Sequence, residues 1–199
     1  MKLRYSTTSP FVRKCMATAI EAGVVNDLEL EKANPWDPDT DVIEQNPIGK
    51  IPALTRDDGS ILFDSPVICE YLDSLGKPPR LFPPEGDARW RAMTRMALAD
   101  GLMDAAILRR RELMRPTDER SSWWAERQLG VVTRAADAME QDAGTYRGID
   151  IGLLATAVAL GYLDFRMPDF AWREGRPDLA AWYEEFSSRP SIRNTEPYE

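Results

Sequence analysis

The sequence predicts an α/β unit followed by an all-helical one. Short strand-like runs alternate with helix-like runs over the first 76 residues, a stretch with four prolines follows at 77–86, and everything beyond reads as helix after helix. At 199 residues the chain is long enough for one large domain or two small ones, each with its own core.

Taken in order, "KLRY" (residues 2–5) and "DLELE" (27–31) alternate apolar and polar residues with the period of a strand. Between them "SPFVRKCMATAIEAG" forms a helix that Gly23 ends. A loop rich in Pro and Asp (34–41) leads to "IPALTRDDGSILF", two β-type runs about Asp57, Asp58 and Gly59, the composition of a hairpin turn. "DSPVICEYLDSLG" is then a helix with Ser65 at the N-cap, Pro66 at the first helical position and Gly76 past the end. Its Val67, Ile68, Tyr71, Leu72 and Leu75 share one face and are expected to pack on the sheet. Beyond the stiff connector, helices are expected over about 87–115, stopped by Pro116, and about 118–143, stopped by Gly144. Two more follow, at 151–165 with Asp150 as N-cap, and in "RPDLAAWYEEFSSRPS", opened by Pro177 and closed by Arg189 and Pro190. The expected domains are residues 1–78 and 85–199.

Composition narrows the chemistry. The absence of His removes Ser-His-Asp and Cys-His catalysis and most transition-metal sites, leaving hydroxyls, carboxylates, Lys, Arg and backbone amides. Cys15 and Cys69 fit no C-x-x-C or zinc spacing and read as buried small hydrophobes in a reduced, cytoplasmic chain. A net charge of −8 argues against a nucleic-acid surface, and the basic cluster "LRRREL" (108–113) reads as a solvated helix face. "IGLLATAVALGYL" (151–163) falls short of the ~18–20 residues that cross a bilayer, so it is expected to be a buried core helix. The opening "MKLRYS" has no apolar signal segment, so no membrane or export role is expected.

Four segments, in this order and at these spacings, resemble the cytosolic glutathione S-transferases over essentially the whole chain. "SPFVRK" is similar to the family's active-site turn and first helix, and "NPIGKIPAL" (46–54) to its loop with a proline before the third strand. "DSPVICEYL" is similar to the γ-glutamyl-binding turn and helix, and "RPDLAAWYEEFSSRPS" to the closing helix of the second domain. The resemblance implies a thioredoxin-like N-terminal domain, an all-helical C-terminal domain, glutathione as co-substrate, no metal, and a homodimer. One departure is visible: Asp150 caps the core helix of the second domain, and Leu153 stands where many relatives have an acid.

Site residues follow from the resemblance together with the needs of glutathione, which carries two carboxylates, an ammonium and a thiol of reference pKa ~8.5. Activation requires stabilising the thiolate, which a helix N-terminus and a hydroxyl donor do together. On local sequence alone Ser9 reads equally as a plain N-cap or as that donor; the resemblance implies that it faces the sulfur, with Thr8 as the rival. The lack of Cys at either position disfavours thiol-transfer chemistry through a mixed disulfide. The resemblance implies a cis Ile51-Pro52 bond whose Ile51 backbone pairs with the cysteinyl moiety like an added strand. Lys50 is placed to neutralise the glycyl carboxylate, Ser65 to donate to the γ-glutamyl carboxylate, and Asp64 to accept from the ammonium. Asp104, in "ADGLMDAAIL" (99–108), is implied to reach the γ-glutamyl ammonium in a partner subunit. Arg13, one helical turn beyond Ser9, reads as a surface or structural salt bridge rather than a substrate contact. A transferase-like interaction module without catalysis is the alternative function.

Overall fold

The computed structural model describes residues 1–199. The chain divides into two compact units, residues 1–86 with 190–199, and residues 87–189. The last ten residues, which the sequence groups with the helical part, thus cluster with the first unit.

In the first unit, strand β1 (Lys2–Tyr5), helix α1 (Pro10–Ala22) and strand β2 (Glu29–Lys32) form a β-α-β unit, with β1 and β2 parallel. A four-residue helix, α2 (Val42–Gln45), precedes β3 (Ala53–Thr55), β4 (Ile61–Leu62) and α3 (Ser65–Leu75). The sheet order is β2-β1-β3-β4, with β3 antiparallel to both of its neighbours. β1 lies as the sequence predicts, and Gly23 closes α1 at φ 75°, a left-handed backbone that a residue with a Cβ adopts at a cost. Helix α2 carries no sequence signal because four residues are too few to show a period.

Helix α1 packs on α3 along its length. The Cys15 and Cys69 sulfurs are 3.8 Å apart, and Cys15 Sγ lies 3.8 Å from the Ser65 carbonyl oxygen. Burial pushes the Cys15 thiol well above its ordinary pKa, in keeping with an inert core residue. At the far end a Cβ on Gly76 would come within 2.5 Å of the Ala22 carbonyl oxygen, so the two backbones meet there only because residue 76 has no side chain. Contacts at 15 with 65 and 69, then at 22 with 76, advance together along both helices, so the helices run parallel and their N-termini share one end of the unit.

The C-terminal segment locks onto α1. Helix α8 (Pro190–Arg193) follows Arg189; buried Arg13 donates to the Ile192 carbonyl at 3.1 Å, and Ser191 Oγ donates to Glu21 at 2.5 Å. Arg13 also reaches the Thr195 hydroxyl at 3.4 Å, so it holds this segment against α1.

The second unit contains α4 (Gly86–Met114), α5 (Ser122–Ala143), α6 (Ile151–Arg166) and α7 (Pro177–Phe186). Helix α5 begins four residues later than its sequence pattern suggests. Residues 117–119 form a 3-10 turn, and Ser121 supplies the cap by accepting from Trp124 N–H at 3.2 Å. Helix α7 stops at Phe186, where the Ser187 and Ser188 hydroxyls bond back to the Glu184 and Glu185 carbonyls. Trp123 is exposed, with Arg127 over its ring.

Every residue from Ile151 to Leu163 is buried, which makes α6 the core of this unit. Each large aliphatic side chain placed there contributes about 1.5–3 kcal/mol relative to exposure. Asp150 caps α6 through the Leu153 amide at 2.8 Å. Arg95 ties α4 to that start, pairing with Asp142 at 2.7 Å and Asp150 at 3.7 Å while lying over the Tyr146 ring. Burial, more than the nearby Asp142 charge, pushes the Tyr146 phenol up to about 12.

Gly152 admits this close crossing: a Cβ there would stand 2.5 Å from the Ala92 carbonyl oxygen and 2.5 Å from Arg95 Cβ. Gly152→Ala should therefore destabilise the protein by about 1–3 kcal/mol, because overpacking against backbone outweighs the roughly 1 kcal/mol helix-propensity gain of Ala. Thermal unfolding of the variant should show a Tm several degrees lower; an unchanged or higher Tm would contradict the crossing.

Candidate functional site

The sheet register gathers the candidate residues. Arg4 of β1 faces Ala53 of β3, and Leu54 of β3 faces Leu62 of β4. The end of β1, the start of β3 and the end of β4 therefore lie at one edge, as do the chain segments that continue from them. Those segments are the Ser6–Ser9 turn, Lys50 to Pro52, and Phe63 to Ser65. Side-chain packing agrees, since Ile51 shares a buried cluster with Val12, Ala33 and Val42, against which Tyr5 and Met16 pack. The edge is also the carboxyl end of the parallel pair β1 and β2, where ligands of open α/β sheets usually bind.

Ser9 is the N-cap of α1, its hydroxyl oxygen accepting from Val12 N–H at 3.3 Å, with Pro10 opening the helix. Capping uses a lone pair and leaves the hydroxyl proton able to donate elsewhere, so the two readings of Ser9 are compatible. Thr8 is half-buried in the same turn.

At α3 the cap moves by one residue from the sequence expectation. Asp64, not Ser65, is the N-cap, with its carboxylate accepting from the Ser65 amide; Ser65 is the first helical residue and Pro66 the second. Asp prevails because its acceptor reaches the first amide from outside the helix, where the chain is extended. Ser65 is thereby drawn inside, and its buried hydroxyl has no hydrogen-bond partner in the protein. An unsatisfied buried hydroxyl costs about 1–3 kcal/mol, and a ligand oxygen at the helix start would offset that cost. Asp64 itself is exposed and retains acceptor capacity for a cation.

The loop before β3 is organised by a residue that the motif names but whose role spacing alone does not give. Asn46, 2% exposed, accepts from Ile48 N–H at 3.0 Å and donates from Nδ2 to the Lys50 carbonyl at 2.8 Å. Its own carbonyl accepts from Gly49 N–H at 2.8 Å, where φ is 68°. The tendency of Asn to bond to backbone two residues on is the sequence signal that points to this role. The Ile51-Pro52 bond is cis, as the resemblance implies, and Lys50 is exposed beside it.

Asp104 is exposed on α4 in the second unit and is not gathered at this edge by the sheet register. A Cβ on Gly101, one turn earlier, would meet nothing within 4 Å. No group of three or more His, Cys, Asp or Glu side chains gathers where it could hold a metal ion, and no helix is long and apolar enough to cross a membrane.

Comparison with known proteins places this geometry. Residues 8–75 match the family model for the glutathione S-transferase N-terminal domain. An uncharacterized GST-like protein, YibF of Escherichia coli (strain K12), is 36% identical over 201 residues, covering 99% of this chain and 98% of that protein. A glutathione transferase family member from Pseudomonas fluorescens Pf-5, solved with bound glutathione, is 42% identical, covers 100% of this chain and 99% of its own, and superposes with a TM-score of 0.93. A second Pf-5 structure, with bound S-(propanoic acid)-glutathione, is also 42% identical with full coverage of both chains and a TM-score of 0.91. The chain belongs to the glutathione S-transferase family, with a thioredoxin-like N-terminal unit and a helical C-terminal one.

Asn46→Ala should leave the fold intact but free the loop, removing two side-chain hydrogen bonds worth about 0.5–1.5 kcal/mol each. Hydrogen–deuterium exchange of peptides spanning 46–52 should rise by roughly tenfold, since about 1.4 kcal/mol corresponds to one decade. Unchanged protection there would show that the loop is held by other contacts.

Proposed function

We propose that the protein is a serine-type glutathione transferase that activates the glutathione thiol and conjugates or isomerises a small electrophile. The observation that carries the proposal is the convergence of Ser9, the Ile51-Pro52 segment and the Asp64-Ser65 helix start at one sheet edge. Family membership and the glutathione-bound Pf-5 relative support it. The second Pf-5 structure, holding a glutathione whose sulfur carries a propanoic acid, supports a site of this type that tolerates a substituted sulfur.

In this mechanism the α3 start takes the γ-glutamyl end. The Ser65 hydroxyl and the first free amides of α3 bind the carboxylate, while Asp64 accepts from the ammonium. The Ile51 backbone aligns the cysteinyl residue, and Lys50 neutralises the glycyl carboxylate, locally offsetting the protein's net charge of −8. The sulfur then lies at the N-terminus of α1, where the dipole contributes ~0.3–2 kcal/mol and a hydrogen bond from Ser9 about 1.5–3 kcal/mol. The thiol proton passes to solvent and Ser9 stays protonated, donating to the thiolate; the thiolate then forms the C–S bond as the electrophile loses its leaving group or opens its π bond. The proposal includes a cytoplasmic homodimer in which Asp104 reaches the neighbouring subunit's ammonium.

A non-catalytic interaction module would bind glutathione without accelerating its reactions, whereas an enzyme that uses Ser9 or Thr8 would accelerate them. Steady-state turnover with a generic aryl halide separates the two. Ser9→Ala should lower kcat about 10- to 100-fold with glutathione affinity, by calorimetry, within a few fold, and Thr8→Ala should change neither. A loss in Thr8→Ala alone would transfer the role to Thr8. No heat of glutathione binding at ~10 mM would overturn the proposal, since that concentration saturates even a ~1 mM site.

Asp104→Asn should weaken glutathione binding about 10- to 100-fold without unfolding, the usual range for one charge-assisted hydrogen bond. Unchanged affinity, or a monomer by analytical ultracentrifugation that turns over fully, would remove Asp104 and the dimer from the mechanism.

A further inference from the structure

One ion pair ties strand β1 to the loop that completes the candidate site. Arg4 on β1, 9% exposed, stands opposite Glu31 of β2 and Ala53 of β3 in the sheet register. Its guanidinium donates to the Asp41 carboxylate and lies 3.7 Å from Glu31. Asp41 is the N-cap of α2, a position where an Asp side chain ordinarily accepts from the helix amides. Here it makes no such bond, and the Thr40 hydroxyl accepts from Val42 N–H at 3.4 Å. The capping carboxylate is given over to Arg4, 37 residues away in the chain. Arg4 is buried and Asp41 exposed, so solvent screens the pair from one side only.

From Asp41 the contacts run unbroken to Lys50. Val42, the first residue of α2, is fully buried and shares a cluster with Val12, Ala33 and Ile51. Its carbonyl accepts from Asn46 N–H at 2.8 Å, and Asn46 in turn bonds to the backbone of Ile48, Gly49 and Lys50. A Cβ on Gly49 would stand 3.6 Å from Ile43 Cγ2, so α2 also rests directly against the loop.

We propose that Arg4 is a positioning residue for the glutathione site: by holding Asp41 it fixes α2 and the 46–50 loop, and so sets how strongly Lys50 binds the glycyl carboxylate. This rests on the proposed function, in which Lys50 neutralises that carboxylate. A loop already ordered presents its cation at no further entropic cost, whereas a loop released from β1 has to be ordered by the ligand. Ser9, Asp64 and Ser65 belong to the starts of α1 and α3, which this relay does not pass through, so the sulfur and the γ-glutamyl end are insensitive to it.

Calorimetric titration with glutathione and with its glycyl ethyl ester, which lacks the charge that Lys50 meets, tests the proposal. The wild-type protein should bind the ester more weakly than glutathione. Arg4→Met should weaken glutathione about 3- to 10-fold and the ester by less than about twofold, and Arg4→Lys should recover part of the difference. If Arg4→Met fails to fold, Asp41→Asn, at an exposed position, should reproduce the loss; where both fold, the two changes together should weaken glutathione no more than either alone. Lys2→Gln removes one positive charge from the same strand and should alter neither ligand. Equal losses for glutathione and ester in the folded variants, no loss in any, or the same loss in Lys2→Gln would overturn the inference and leave the proposed function standing. So would a wild-type protein that binds both ligands alike. No glutathione binding by the wild type would overturn the proposed function itself, and this inference with it.

Discussion

Close parallel packing of α1 on α3 is the constraint on which the first unit depends. Two helices can approach this tightly only if the residues between them are small, and the sequence supplies Cys15, Cys69, Ala22 and Gly76 at the contact points. Parallel alignment puts both helix N-termini at one end, so two sets of unpaired amides and two positive dipole ends face the same side of the unit. A peptide with an anionic sulfur and anionic carboxylates matches that arrangement. Reversing either helix would place one terminus at the opposite edge.

The sheet and the loop refine what the helices begin. With β3 antiparallel to β1, the segment that enters β3 sits beside the turn that leaves β1, and the hairpin to β4 returns the chain to the same edge at Asp64. Asn46 then fixes the path of residues 46–50 from within, so that Lys50 is exposed while Ile51 packs into the core. In the second unit, Arg95 and Gly152 perform the comparable task of bringing α4 against the start of α6. The chain contains no His. In the proposed mechanism donors stabilise a thiolate, and no tuned base abstracts its proton.

Much of this was legible in the sequence because it is written in local chemistry. Strand alternation, Gly23 at a positive φ, Asp150 as a cap and the apolar run of α6 each need only neighbouring residues to be read. The candidate residues Ser9, Lys50 to Pro52, Asp64 and Ser65 come from the order and spacing of family motifs; their placement at one end of the sheet is what the register adds, and their ligand roles belong to the proposal. What escaped was set by distance or by competition. Cys15 and Cys69 are 54 residues apart, so nothing local announces that their sulfurs meet. The contact of residues 190–199 with α1 is of the same kind. At α3 two adjacent residues could each cap; Asp64 does so, and Ser65 becomes the buried first residue of the helix. Arg109, Arg110 and Arg111 are partly buried, where "LRRREL" by itself reads as a solvated face.

The central claim is that the convergent helix starts hold glutathione as its thiolate. Thiolate absorbance near 240 nm, followed against pH in the saturated wild-type complex, tests it most directly. The account predicts a bound-thiol pKa one to three units below the free value of ~8.5, the shift expected from roughly 2–4 kcal/mol of added donors at ~1.4 kcal/mol per unit. A bound thiol that titrates with the free one would contradict it, whatever the affinity.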